Sequence, residues 1–359
     1  MCRRLCAEGL LVLLVLLGLA AAATGSERVV GGAAVGDGAL PFVVRLFLDN
    51  RPYCGGTLIG AEWVVTAAHC VAASDPQKTG PGSFVACDPA TLKVGYGSVS
   101  SDFGSYAAVE SVVVHPAFNP GQITSDIALL KIRRGSDMAQ RTAFIGVSTA
   151  NVTAGERVVA AGWGQTAADN PAQASTLMSA ELVVADDATC RSGALDWDGQ
   201  NGLYVCTSYT KPPAVGPCFG DSGGPLVMRT DGVYALLALV SFQTNGDNKM
   251  LCAQPSTINY FSRVSTYLGF ISSATGISPG ALTGETTPWT QANSASIKES
   301  ADSASSEKST DSATNAKSVD SANNASSEKS AESAAARRLH MGAAALAMTL
   351  AAALASVLA

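Results

Sequence analysis

The stretch Cys218-Phe219-Gly220-Asp221-Ser222-Gly223-Gly224-Pro225 sets a serine between glycines on both sides. Residues without Cβ let the backbone turn tightly and bring amide hydrogens close to a reacting carbonyl, as stabilisation of a developing oxyanion requires. A serine hydroxyl is inert alone and needs a base within hydrogen-bond reach. The chain order of serine, base and acid therefore decides which fold could carry it.

The chain has three histidines, His69, His115 and His340. His340 abuts a C-terminal apolar tail expected to be removed, and His115 closes the strand-like run Val112-Val113-Val114-His115-Pro116. His69 remains, in Trp63-Val64-Val65-Thr66-Ala67-Ala68-His69-Cys70, where an apolar strand runs into small residues that leave an imidazole room to meet another segment. The pattern Gly-x-Ser-x-Gly also fits the nucleophile elbow of the α/β-hydrolases. Those enzymes place acid and histidine after the serine, whereas only His340 follows Ser222. A carboxylate to hold the imidazole tautomer is offered by Asp126, at the mouth of the apolar run in Thr124-Ser125-Asp126-Ile127-Ala128-Leu129-Leu130-Lys131. The order is thus His69, Asp126, Ser222.

Short apolar runs at 42–48, 63–67, 107–114, 127–132, 157–161, 182–185, 225–228 and 235–242 are punctuated by Gly, Pro, Asn and Asp, the pattern of an all-β sandwich or barrel. Val264, Leu268 and Ile271 recur at helical spacing and predict one C-terminal helix.

Together these features resemble the chymotrypsin/trypsin family of serine endopeptidases. The resemblance is carried by Val29-Val30-Gly31-Gly32, Thr66-Ala67-Ala68-His69-Cys70, Asp126-Ile127-Ala128-Leu129-Leu130, Ala161-Gly162-Trp163-Gly164 and Gly220-Asp221-Ser222-Gly223-Gly224. It implies an all-β fold of two six-stranded antiparallel barrels with a short C-terminal helix, His69 and Asp126 on the first barrel and Ser222 on the second. It further implies that Ser222 attacks the scissile carbonyl, that His69 takes and returns the proton, and that Asp126 orients His69. The amides of Gly220 and Ser222 are the implied oxyanion donors. Activation is implied by a cut after Arg28, whose new α-amino group on Val29 would pair with Asp221. The resemblance pairs Cys54 with Cys70, Cys190 with Cys206 and Cys218 with Cys252, and leaves Cys87 single. Partners would be protein or peptide substrates, an activating protease and protein inhibitors; no cofactor and no metal are expected. A catalytically inactive, protease-like binding protein is the alternative.

The same comparison locates a primary pocket at Gly216, Ser241, Gln243 and Asn259. Gly216 stands six residues before Ser222, where a trypsin carries aspartate. An arginine or lysine would find no fixed counter-charge there, and an unpaired buried cation is costly. An apolar P1 residue is the expectation, P1 being the residue on the N-terminal side of the cleaved bond.

The ends of the chain suggest processing. Arg3 and Arg4 precede an apolar run ending in small residues, as in a secretory signal peptide over 1–23. A propeptide over 24–28, a protease domain over 29–276 and a disordered Ser/Ala-rich stalk over 277–340 would follow. The tail at 341–359 is uncharged and apolar and, with Ser330 or Ser333 upstream, resembles a glycosylphosphatidylinositol-anchor signal. A transmembrane tail is the other reading, and it would leave Arg337 and Arg338 against the positive-inside bias. Nine cysteines suit an oxidising, extracellular setting. Asn151 and Asn324 head N-glycosylation sequons. A net charge of −6 disfavours a nucleic-acid ligand.

Overall fold

The computed structural model describes residues 30–290 except 168–169, 195, 209–214, 245–251, 253, 255–256 and 285–288. The signal, propeptide, tail and Asn324 expectations, and the stalk beyond residue 290, lie outside the described residues.

Nine strands form in the first half: β1 Ala33–Ala34, β2 Val43–Leu48, β3 Arg51–Gly60, β4 Trp63–Thr66, β5 Ala72–Ser74, β6 Phe84–Ala86, β7 Leu92–Gly95, β8 Tyr106–Val114 and β9 Ala128–Ile132. Six of them close a barrel in the order β2-β3-β4-β9-β8-β7. Phe42, Val44, Val64, Val65, Val94, Leu129 and Leu130 are all fully buried in the core that forms on both faces of its strands. The insertion after His69 contains the β5–β6 hairpin.

The second half holds β10 Arg157–Gly162, β11 Gln165–Ala167, β12 Asn170–Gln173, β13 Met178–Val183, β14 Tyr204–Ser208, β15 Pro225–Thr230, β16 Val233–Thr244, β17 Ile258–Arg263 and β18 Trp289–Thr290. Its main sheet runs β1-β13-β10-β15-β16-β17-β14, with β18 paired to β16. The six central strands curl until Val184 bridges Thr207, which brings the end of β13 to β14 and completes the second barrel. The expected strand at 182–185 starts earlier, at Met178, because alternate residues Met178, Ala180 and Leu182 face the core.

The predicted C-terminal helix is a 3₁₀ turn, Val264–Tyr267, running into an α-helix, Leu268–Thr275. Val264 and Ile271 are fully buried against the first barrel's core. Gly276, at φ 74°, caps the helix in the left-handed conformation that glycine adopts without steric cost. Residues 277–284 are ordered and carry a second helix, Pro279–Leu282, N-capped by Ser278. Leu282 is buried and its carbonyl accepts from Val147 N at 2.6 Å, so the chain leaves the core later than the composition change suggested.

Replacing Ile271 with alanine would remove a buried branched side chain that joins the helix to the barrel. The expected loss is about 2–5 kcal/mol of unfolding free energy, read as a lower urea midpoint at unchanged slope.

Candidate active site

Asp126 lies directly before the β9 region and is completely buried. Ile123 and Ser125 adopt left-handed φ values of 56° and 51°, an uncommon conformation for a β-branched residue, and Tyr204 Oη donates to the Ile123 carbonyl at 3.3 Å. That bend delivers the carboxylate beneath His69. Asp126 Oδ1 accepts from the His69 backbone N–H at 2.9 Å, and Oδ2 lies 2.8 Å from His69 Nδ1. The Ser241 hydroxyl, on β16, donates to Oδ2 at 2.5 Å. A carboxylate can only accept, so Nδ1 carries the hydrogen and Nε2 is left as the basic atom.

His69 occupies the 3₁₀ turn Ala68–Cys70 that follows β4, and its side chain is 27% exposed. Burial acts to lower its pKa, but the charge of Asp126 and their hydrogen bond outweigh that and raise it above the ordinary 6.5. Burial likewise acts to raise Asp126, and the His69 charge and the bonds from His69 and Ser241 hold it below the ordinary carboxylate value.

Ser222 sits in a turn clamped from both barrels. Its carbonyl accepts from Gly55 N at 2.8 Å, and Gly223 N donates to the Val240 carbonyl at 2.8 Å. Gly223 has φ 74°, and a Cβ there would lie 2.1 Å from Thr66 Oγ1 and 2.9 Å from Ala67 N. The serine turn is therefore pressed against the residues that lead into His69. Among the described residues no hydrogen bond joins the Ser222 hydroxyl to His69. Catalytic hydrogen bonds are often long in free enzymes and tighten with substrate.

Gly220 adopts φ 97°, and Gln165 N donates to the Phe219 carbonyl at 2.8 Å, which fixes the loop before it. Neither Gly220 N nor Ser222 N donates to a carbonyl of a described residue. Asp221 is buried, its Oδ1 accepting from Gly164 N at 2.7 Å and its Oδ2 from Cys218 N at 2.9 Å. Burial pushes its pKa up to about 6, against these two bonds and the Arg45 charge. A Cβ on Gly162 or Gly164 would fall 2.1 or 2.3 Å from the carboxylate oxygens, which explains both glycines of Gly162-Trp163-Gly164. Arg28 and Val29 lie outside the described residues; Val30 bridges to Gly216.

The structure brings Gly216 and Asn259 together, and Asn259 pairs with Gln243 across β17 and β16. Ser241, expected in the pocket, donates its hydroxyl to Asp126. Disulfides join Cys54 to Cys70, Cys190 to Cys206 and Cys218 to Cys252, while Cys87 is a half-buried free thiol. The cluster of Cys54, Cys70 and His69 offers no thiolate to a metal, since both sulfurs are bonded to each other. Asn151 is exposed. No described helix is long and apolar enough to cross a membrane.

Sequence reasoning missed Arg45 and Gln173. Buried Arg45 donates to Gln173 Oε1 and, at 3.4 Å, to the Trp163 carbonyl, and a Cβ on Gly220 would lie 2.6 Å from Gln173 Nε2. The available signal was one basic residue inside the apolar run Phe42-Val43-Val44-Arg45-Leu46-Phe47-Leu48.

The family described as Trypsin matches residues 29–271. Serine protease SP24D of Anopheles gambiae is 32% identical over 68% of this chain and 80% of its own length. Chymotrypsin-like elastase family member 1 of Bos taurus is 32% identical over 69% of this chain and 90% of its own. Trypsin of Sus scrofa is 26% identical over 68% of this chain and 94% of its own. The double barrel, the buried carboxylate under His69 and this match over most of the chain agree: the protein belongs to the trypsin family and is a serine-type endopeptidase.

Proposed function

We propose that Ser222, His69 and Asp126 carry out peptide hydrolysis through an acyl-enzyme, and that the chain does so outside the cell after removal of its first 28 residues. The observation that supports this most directly is the Asp126 carboxylate, buried yet satisfied by three donors, two of them on His69. Such an arrangement stabilises an imidazolium and leaves Nε2 free to accept a proton. The Ser222 oxygen bonds to the scissile carbonyl carbon while its proton passes to His69 Nε2. The resulting oxyanion accepts from the Gly220 and Ser222 amides, each donor contributing about 3 kcal/mol of transition-state stabilisation. As the C–N bond breaks, His69 returns the proton to the leaving amine. Water then repeats the sequence and releases the acid.

Cleavage after Arg28 would give Val29 an ammonium to pair with Asp221. A buried carboxylate held by two amides, with no cation bonded to it among the described residues, supports this role, because desolvation raises its pKa to about 6. The pocket at Gly216 favours an uncharged P1 residue over Arg or Lys. Membrane attachment through a lipid added near Ser330 or Ser333, with glycans on Asn151 and Asn324, completes the reading of a surface protease.

A fluorophosphonate is expected to label the cleaved chain at Ser222 and to leave Ser222→Ala unlabelled; an unlabelled native chain would turn the assignment toward a binding protein. The acid limb of kcat/KM is expected above pH 6.5, because His69 must be neutral to act as base and its pKa is raised. In Asp126→Asn the raising influences vanish and burial alone remains, so the limb is expected to move below its native position, with turnover falling about 10⁴-fold as orienting aspartates do in this enzyme class.

Asp221 also predicts a pH signature. Its folded pKa lies above the unfolded 3.8, so its contribution is fully present below pH 3.8 and is lost as pH rises through about 6. In the uncleaved chain this amounts to roughly 3 kcal/mol at neutral pH. Cleavage after Arg28 is expected to abolish that loss, measured as thermal midpoint against pH for uncleaved and cleaved protein.

A further inference from the structure

Three residues form a polar row across neighbouring strands: Thr207 on β14 is opposite Asn259 on β17, which is opposite Gln243 on β16. Directly opposed residues of antiparallel strands project from the same face of a sheet. Thr207 and Asn259 are buried and Gln243 is half-buried. The face looks toward Gly216, since a Cβ on that glycine would lie 3.4 Å from Asn259 Nδ2 and 3.7 Å from Asn259 Oδ1.

Each amide nitrogen of this row makes one hydrogen bond: Asn259 Nδ2 donates to Thr207 Oγ1 at 3.4 Å, and Gln243 Nε2 donates to Cys252 Sγ at 3.7 Å. The amide oxygens make none: Gln243 Oε1 and Asn259 Oδ1 are both buried and have no hydrogen-bond partner. Buried polar atoms in folded proteins are almost always paired, so two lone carbonyl oxygens on one face ask for a donor from outside the chain. The row is joined to the reacting serine on both sides. Gly216 and Ser222 flank Cys218, whose disulfide reaches Cys252, and two positions before Gln243 the Ser241 hydroxyl holds Asp126.

We infer that the enzyme cleaves after residues whose uncharged side chain ends in a hydrogen-bond donor, carboxamides foremost, because Gln243 Oε1 and Asn259 Oδ1 stand unpaired in one row, with Asn259 beside Gly216. This rests on Ser222 being the nucleophile, and it replaces the apolar P1 expectation while keeping the exclusion of charge. A primary amide carries two N–H groups, one for each acceptor. A hydrocarbon of the same shape would cover both oxygens and leave them dry and unpaired. A carboxylate would set negative charge against two carbonyl oxygens. An ammonium would be buried with no anion among the row's residues.

The test uses the chain cleaved after Arg28, first titrated with a fluorophosphonate so that rates refer to labelled sites. Peptides identical except for P1 Gln, Met, Leu, Glu or Lys are then compared. The expected result is a kcat/KM for Gln that exceeds Met and Leu roughly tenfold or more, as sites built to hydrogen-bond reject analogues lacking the group. In Asn259→Val the Gln-to-Met ratio is expected to fall toward one. A labelled enzyme that cleaves after Met, Leu or Lys as well as after Gln overturns the pocket assignment alone, as does an unchanged ratio in a labelled Asn259→Val. A chain that takes no label overturns the nucleophile reading and this inference with it. Should Asn259→Val fail to fold, the native panel decides.

Discussion

A single carboxylate with no access to water holds the catalytic arrangement together. Burying Asp126 as an anion is unfavourable by several kcal/mol unless its lone pairs are taken, and three donors take them. Two come from His69 on the first barrel and the third from Ser241 on the second. The orientation of the imidazole and the junction of the two barrels therefore share one electrostatic condition. The left-handed backbone at Ile123 and Ser125 is the local cost of meeting it.

The junction is reinforced by backbone approaching backbone, which only residues without side chains allow. A Cβ on Gly55 would lie 2.9 Å from Gly224 Cα, and a Cβ on Gly223 would strike Thr66 Oγ1. These contacts let Gly55 N reach the Ser222 carbonyl, while the Cys54–Cys70 disulfide ties the same strand to the turn bearing His69. Position in the fold thus passes from β3 to both the serine and the histidine within a few bonds.

The proposed trio stands out in the sequence because each member has a local pattern with its own physical reason: small residues before His69, an apolar run behind Asp126, glycines around Ser222. Strands that are predominantly apolar, such as β2, β4 and β9, were legible for the same reason. β3 was not, since Cys54-Gly55-Gly56 reads as a turn, yet its glycines serve close packing against Val64 and Gly224. β14 and β17 were obscured by polar residues, Thr207, Asn259, Ser262 and Arg263, that face inward. Asn259 was placed in the pocket by resemblance, but its unpaired oxygen depends on which strands become neighbours, and a linear pattern does not carry that. The bond from the Ser241 hydroxyl to Asp126 was not legible, because it joins residues on different barrels.

Arg45 and Asp221 flank the loop that carries Gly220 and Ser222. Both are buried, and desolvation moves each toward neutrality, Arg45 down to about 10 and Asp221 up to about 6. The guanidinium does not bond to the carboxylate; it holds Gln173 and the Trp163 carbonyl, while Asp221 takes the Gly164 and Cys218 amides. The loop carrying Gly220 is thereby wedged between Gln173 and Gly164, positioned by polar groups that each hold only part of a charge balance. A loop held in this way is ordered by its neighbours and remains sensitive to any additional cation that reaches Asp221. If the Gly220 and Ser222 amides serve as proposed, their aim is coupled to the electrostatics of one carboxylate, and the proposed cleavage after Arg28 would act through it.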